Sequence, residues 1–194
     1  KVEERRVNWE ILDAWRDAAE QSGIPKIEEF NRGDNFGNAY FHMNQDRGVR
    51  WSATKAFLRP AMSRPNLTVI THAHVQKLIV ETGENGKRAT GVQVTIKEQS
   101  PQIFSAKREV VLSTGSIGSP QILQISGIGP GELLDGLDID VIHESPGVGE
   151  NLHDHLQVRS VYKVSNTITL NQRVNSLIGK AAMGLEYMLF RTGP

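Results

Sequence analysis

The chain has 194 residues, 38% of them apolar and 23% charged, and its 22 basic and 22 acidic side chains cancel to a formal net charge of zero. That composition suits one or two small globular domains, lacks the basic excess of a nucleic-acid binder, and contains no run near the ~20 apolar residues that span a bilayer. There are no cysteines, which excludes disulfides, thiolate zinc sites, iron–sulfur clusters and cysteine nucleophiles.

The opening KVEERRVNWE is mixed in sign and carries neither an initial Met nor an apolar signal core. Lys1 is therefore read as other than the native start. Residues 8–23 place Ile11, Leu12, Trp15, Ala18 and Ala19 on one face at helical spacing. Asn8 is expected to cap this helix, Gly23 and Pro25 to end it, and Trp15 to lie in the core. Residues 30–50 are rich in Gly, Asn and Asp, which is loop composition, and a loop of that length is usually functional. Residues 51–65 read as a short helix broken at Pro60 and Pro65.

A β-rich block follows, an antiparallel meander expected over residues 68–114. Its first run ends at the Asn85-Gly86 hairpin signal. Its second alternates Val92, Val94 and Ile96 against polar neighbours. Its third closes in Val110-Val111-Leu112, expected to be a buried strand.

The segment LSTGSIGSPQILQISGIGP, Leu112 to Pro130, then turns through Thr114-Gly115-Ser116. Ser119-Pro120 is read as the start of a helix over residues 121–126, ended by Gly127 and Gly129. Strand, glycine turn and helix N-terminus together offer free backbone N–H groups to an anion. The segment matches neither G-x-G-x-x-G nor a P-loop, since no lysine follows the glycines. A cofactor-contact turn and a plain structural turn both stay open on the residues alone. Beyond it, residues 132–156 suggest a short helix, a short strand and a glycine-rich loop. Residues 156–164 alternate like a strand. Residues 174–194 form a closing helix with Leu177, Ile178, Ala181, Leu185, Met188 and Leu189 mostly on one side.

Few catalytic groupings survive inspection. His153-Asp154-His155 supplies too few ligands for a metal, which needs three or four that converge, and His72 and His74 repeat the same spacing. The preferred reading of Asn151, Asp154 and His155 is structural, as hydrogen-bonding partners of the glycine-rich loop. No G-x-S-x-G elbow occurs, Ser116 and Ser126 lack a base, and Glu28-Glu29 suit a surface. No catalytic residue and no metal ligand is assigned.

The stretch STGSIGSPQILQISGIGP resembles the second signature of the glucose–methanol–choline (GMC) oxidoreductases. Gly115-Ser116, Ser119-Pro120, Leu123 and Ser126-Gly127-Ile128-Gly129 fall in register with it, while one of its two aliphatic positions falls on Gln124 or on the neighbouring Ile122, depending on alignment, a mild departure. RPNLTVITHAHVQKLIVE, RATGVQV, PGVGENLHDHLQV, GLEYMLFRTGP and NQDRGVRWSATKAFLRP resemble the choline-dehydrogenase-like branch. The resemblance implies an α/β fold of α+β character. It combines part of an FAD-binding domain, including the antiparallel meander, with part of a substrate-binding domain. The implied division is residues 1–66 as a substrate-domain segment with its N-terminal helix, 67–155 as the partial FAD-binding domain, and 156–194 as the start of the substrate-domain sheet and helix.

The implied function is FAD-dependent oxidation of a primary alcohol to an aldehyde, with a histidine base and hydride transfer to the flavin. The implied cofactor contacts are Val75, through its backbone to adenine, with Ser113, Thr114, Gly115 and Ser116. Asn151, Asp154 and His155 receive no chemical role. The family's glycine-rich FAD motif is expected before Lys1 and the catalytic histidine after Pro194. The expected partners are therefore a small-molecule alcohol and those further segments, with no nucleic acid. The expected location is cytoplasmic, with membrane association left open. A GMC-fold hydroxynitrile lyase and an inactive fragment are the alternatives. Choline specificity would need an aromatic cage that the sequence does not reveal. An isolated piece of this kind is expected to bury its core poorly.

Overall fold

A computed structural model describes residues 1–84 and 86–192. Asn85, half of the predicted Asn85-Gly86 turn, lies outside the described residues. The elements in chain order are α1 (Glu10–Gln21), β1 (Gln45–Asp46), β2 (Val49–Arg50), α2 (Arg59–Ala61), β3 (Ala73–Gly83), β4 (Gly86–Ile96) and β5 (Gln102–Ser105). They continue with α3 (Gly115–Ile125), β6 (Ile128–Gly129), α4 (Gly131–Asp135), β7 (His143–Glu144), α5 (Leu170–Val174) and α6 (Leu177–Phe190). The chain forms two compact units, residues 1–68 with 160–194, and residues 69–159. Among the described residues no helix is long and apolar enough to cross a membrane.

In the first unit, α1 starts after Trp9, whose backbone is extended, and no side chain caps it. Asn8 therefore does not cap this helix. Glu10 and Asp13 in the first turn face the positive helix end instead. Gly23, at φ +89°, stops the helix as expected. Ala19 is buried, but Trp15 is 56% exposed. The assignment of Trp15 to the core is corrected: too little of the described chain packs against that face. A π-helical turn, Thr54–Leu58, runs directly into α2. Pro60 lies inside this continuous helical run, which ends one residue later at Ala61. The α5 helix is held by a capping box between Thr169 and Gln172. The Ser176 hydroxyl accepts from the Gly179 N–H at the start of α6.

The second unit is built on the antiparallel sheet β3-β4-β5, the meander expected from the period-2 pattern. Val75 pairs with Val94 and Leu78 with Val92, with irregularities between Val75 and Lys77 and between Ile79 and Val80. Leu78 and Val94 are buried. Gly91 lets β5 come close: a Cβ there would lie 2.4 Å from the Phe104 carbonyl oxygen. Beyond β5 the Ala106 N–H still donates to the Thr90 carbonyl of β4, but residues 107–113 pair with no strand among the described residues, and Val111 is 77% exposed. The buried strand expected at Val110–Leu112 is therefore absent, since a strand needs a ladder partner. Leu156, Val158 and Val161, expected on a strand, are 95%, 84% and 91% exposed in a segment with no assigned structure, for the same reason.

The α3 helix begins at Gly115, not at Ser119-Pro120, so Pro120 lies inside it. After Gly127, at φ +77°, β6 pairs in parallel with β7, and α4 bridges them. Leu134 of α4 is fully buried. The Ile142 and His143 N–H groups both donate to the Gly127 carbonyl, at 2.8 and 2.9 Å.

Candidate cofactor-contact site

The α3 helix is fastened to the outer edge of the sheet. β3 is an edge strand, so alternate backbone groups face away from β4. One of them, the Leu78 N–H, donates to Ser126 Oγ at 2.8 Å. Ser126, only 4% exposed, in turn donates to the Ile122 carbonyl. Val75 lies three residues earlier on the same strand. It is half-buried and pairs with Val94 just before the bulge at Gln76, whose side chain accepts from Gln93 Nε2 at 3.0 Å. The strand carrying Val75 is thus the one against which α3 packs.

At its other end α3 is open. Ser113, Thr114, Gly115 and Ser116 are all exposed. Thr114 occupies the cap position but makes no capping hydrogen bond; its hydroxyl lies 3.1 Å from Ser119 Oγ. The first-turn N–H groups therefore have no side-chain acceptor and remain free for one. Pro120, inside the helix, offers no N–H to the Ser116 carbonyl one turn earlier. Gly115 adopts φ +86°, which favours glycine, and nothing lies within 4 Å of where its Cβ would be. The turn is a bare backbone surface that a polar or anionic ligand can approach closely.

A second wall stands beside it. A cavity of about 610 Å³ runs from Ser116, Ile117 and Pro120 to the loop ending at Asn151 and His153. Gln124 holds that loop: its Nε2 donates to the Val148 carbonyl at 3.2 Å. The polar residue at an aliphatic position of the signature therefore has a partner that sequence reading missed. The structural role expected of Asn151, Asp154 and His155 is corrected. Among the described residues their one bond is local, from the His155 N–H to Asp154 Oδ1 at 2.7 Å. Among the described residues no cluster of three or more His, Cys, Asp or Glu side chains could hold a metal.

The chain is similar to known proteins. The family model described as GMC oxidoreductase matches residues 2–157. The chain belongs to the GMC oxidoreductase family. The oxygen-dependent choline dehydrogenase of Photobacterium profundum is 40% identical over 183 residues, which cover 94% of this chain and 31% of that protein. The FAD-dependent oxidoreductase from Chaetomium thermophilum superposes with a TM-score of 0.85 at 25% identity, over 100% of this chain and 33% of that one. Pyridoxine 4-oxidase from Mesorbium loti superposes with a TM-score of 0.68 at 28% identity, over 75% of this chain and 28% of that one. The chain thus spans about a third of the length of the relatives it matches. Mixed helix and strand with antiparallel sheet, the fold expected from the sequence, is the fold of these neighbours.

Proposed function

We propose that this chain is the cofactor-contacting middle part of an FAD-dependent oxidoreductase that oxidises a primary alcohol to an aldehyde, with choline the first substrate to test. The observation that carries the proposal is the continuous family match over residues 2–157. Residues 69–159 belong to its FAD-binding domain, and the first unit to its substrate domain. When bound, FAD supplies the two-electron acceptor for the alcohol carbon.

The chain's own residues bind and orient. The free N–H groups at Gly115 and Ser116 meet the polar part of the adenosine side, with the Thr114 hydroxyl and Ser113 beside them. The absence of a Cβ at Gly115 lets the cofactor come against the backbone. Val75 offers a backbone edge to the adenine. Ser126 fixes the angle between the strand carrying Val75 and the helix carrying Gly115, because it binds both. None of these residues moves a proton.

The test is an anaerobic visible spectrum of the full-length protein before and after choline. A flavin spectrum bleached by choline is expected. A flavin spectrum that no primary alcohol bleaches would overturn the alcohol-oxidising reading, and a native full-length protein without flavin would overturn the cofactor reading.

A further inference from the structure

The first unit holds a charged cleft of about 710 Å³ that the proposed function does not use, lined in part by Arg5, Asp13, Arg16, Glu29 and Tyr40. The framework behind it is well fixed. Asn38 is 4% exposed; its amide donates to the carbonyls of Ile24 and Pro25 at 2.9 and 3.2 Å. Asn38 Oδ1 accepts from Arg16 Nε at 3.2 Å, which sets the direction of that guanidinium. The guanidiniums of Arg5 and Arg16 both lie over the Tyr40 ring.

Most charges in the cleft are already matched. Lys26 pairs with Asp17 and Glu20. Arg32 pairs with Glu28 and Glu29, and Glu29 also meets His42. Asp13 accepts from the Tyr40 hydroxyl at 2.5 Å. Burial, first, and that hydrogen bond raise the Tyr40 pKa, so the phenol stays neutral and adds no negative charge. Glu4 lines the cleft as well but is exposed. Arg5 and Arg16 have no ion-pair partner among the described residues, and Arg5 Nε is buried without any hydrogen-bond partner there.

Two guanidiniums sharing one aromatic ring repel each other, and a buried donor without an acceptor is costly. An oxyanion between them offsets the repulsion, since its paired oxygens match the terminal Nη donors of the two guanidiniums. The cleft, at about 710 Å³, is roomy enough to admit a small organic acid. We propose that this cleft is a ligand site, separate from the cofactor turn, that binds a small oxyanion, carboxylate or phosphate, between Arg5 and Arg16. The proposal stands independently of the alcohol-oxidising reading.

Isothermal titration of the full-length holoprotein with succinate, and separately with inorganic phosphate, at constant ionic strength tests it. Saturable binding of at least one is expected. Binding should weaken about tenfold in Arg5→Gln and in Arg16→Gln, as loss of a charge-assisted hydrogen bond implies, with the flavin spectrum unchanged. Arg5→Lys and Arg16→Lys keep the charge and lose the fork, so they should weaken binding even if the glutamine variants fold poorly. Binding of succinate alone assigns a carboxylate, and binding of phosphate alone a tetrahedral oxyanion. Binding of neither, or undiminished binding in all folded variants, would overturn the proposal.

Discussion

Tyr40 carries a pH dependence whose sign follows from its surroundings. Burial, then the hydrogen bond to Asp13, raises its pKa in the folded chain, and the charges of Arg5 and Arg16 only partly oppose them. The folded state therefore holds this proton more tightly than the unfolded state. The stabilisation is fully present below the unfolded value of about 10 and is lost as pH rises through the folded one. Native protein should exceed Tyr40→Phe in melting temperature at pH 8, and the margin should shrink above about pH 10. A constant margin across that range would remove the assigned role. At the cofactor turn, Gly115→Ala meets no steric neighbour but forces an L side chain to φ +86°. The strain costs about 1 kcal/mol, and the new methyl stands where the cofactor is proposed to lie. The ratio of flavin to protein absorbance in purified full-length enzyme should fall, by more than the small loss in melting temperature accounts for.

The join between α3 and β3 rests on one hydroxyl, and its removal is measurable. Ser126→Ala strips the buried Leu78 N–H of its acceptor, a loss of about 1–3 kcal/mol. Ser126→Thr keeps the hydroxyl. Urea unfolding of the full-length protein should show the alanine midpoint lowered; an unchanged midpoint would mean that water replaces Ser126. Elements of this kind differ in how far the sequence announces them. The alternation of Val92, Val94 and Ile96 is a local signal, and the strand it predicts forms as β4, with Val94 alone of the three buried. Gly23, Gly115 and Gly127 were readable too, because a positive φ leaves a glycine behind. The start of α3 was not. Ser119-Pro120 is a strong local start signal, but the structure begins the helix at Gly115 and accepts a proline within it. Val110–Leu112 and residues 156–164 have strand composition and no strand, because pairing is a property of the partner rather than of the run. At the proposed site, Gly115 was legible as a position needing positive φ. The Gln124 clamp was not, since it depends on a carbonyl 24 residues away.

The scale of the whole chain is set by its exposed surface. Its buried apolar side chains are Ala19, Leu78, Val94, Ile122 and Leu134. The apolar residues of α6 are open by contrast, with Leu177 at 84% and Ile178 at 83% exposure. Exposed apolar area of this extent binds dyes and partners or drives aggregation. The relatives are about three times as long as this chain, and further protein laid on these faces would remove them from water. Residues 1–194 produced alone should therefore bind 8-anilinonaphthalene-1-sulfonate strongly and melt without a cooperative transition. The full-length protein should bind little dye and unfold cooperatively. If the isolated chain were dye-silent and cooperative, the α6 face would have to be covered by the chain itself, and the extended segment at residues 156–164 would have to pair within it.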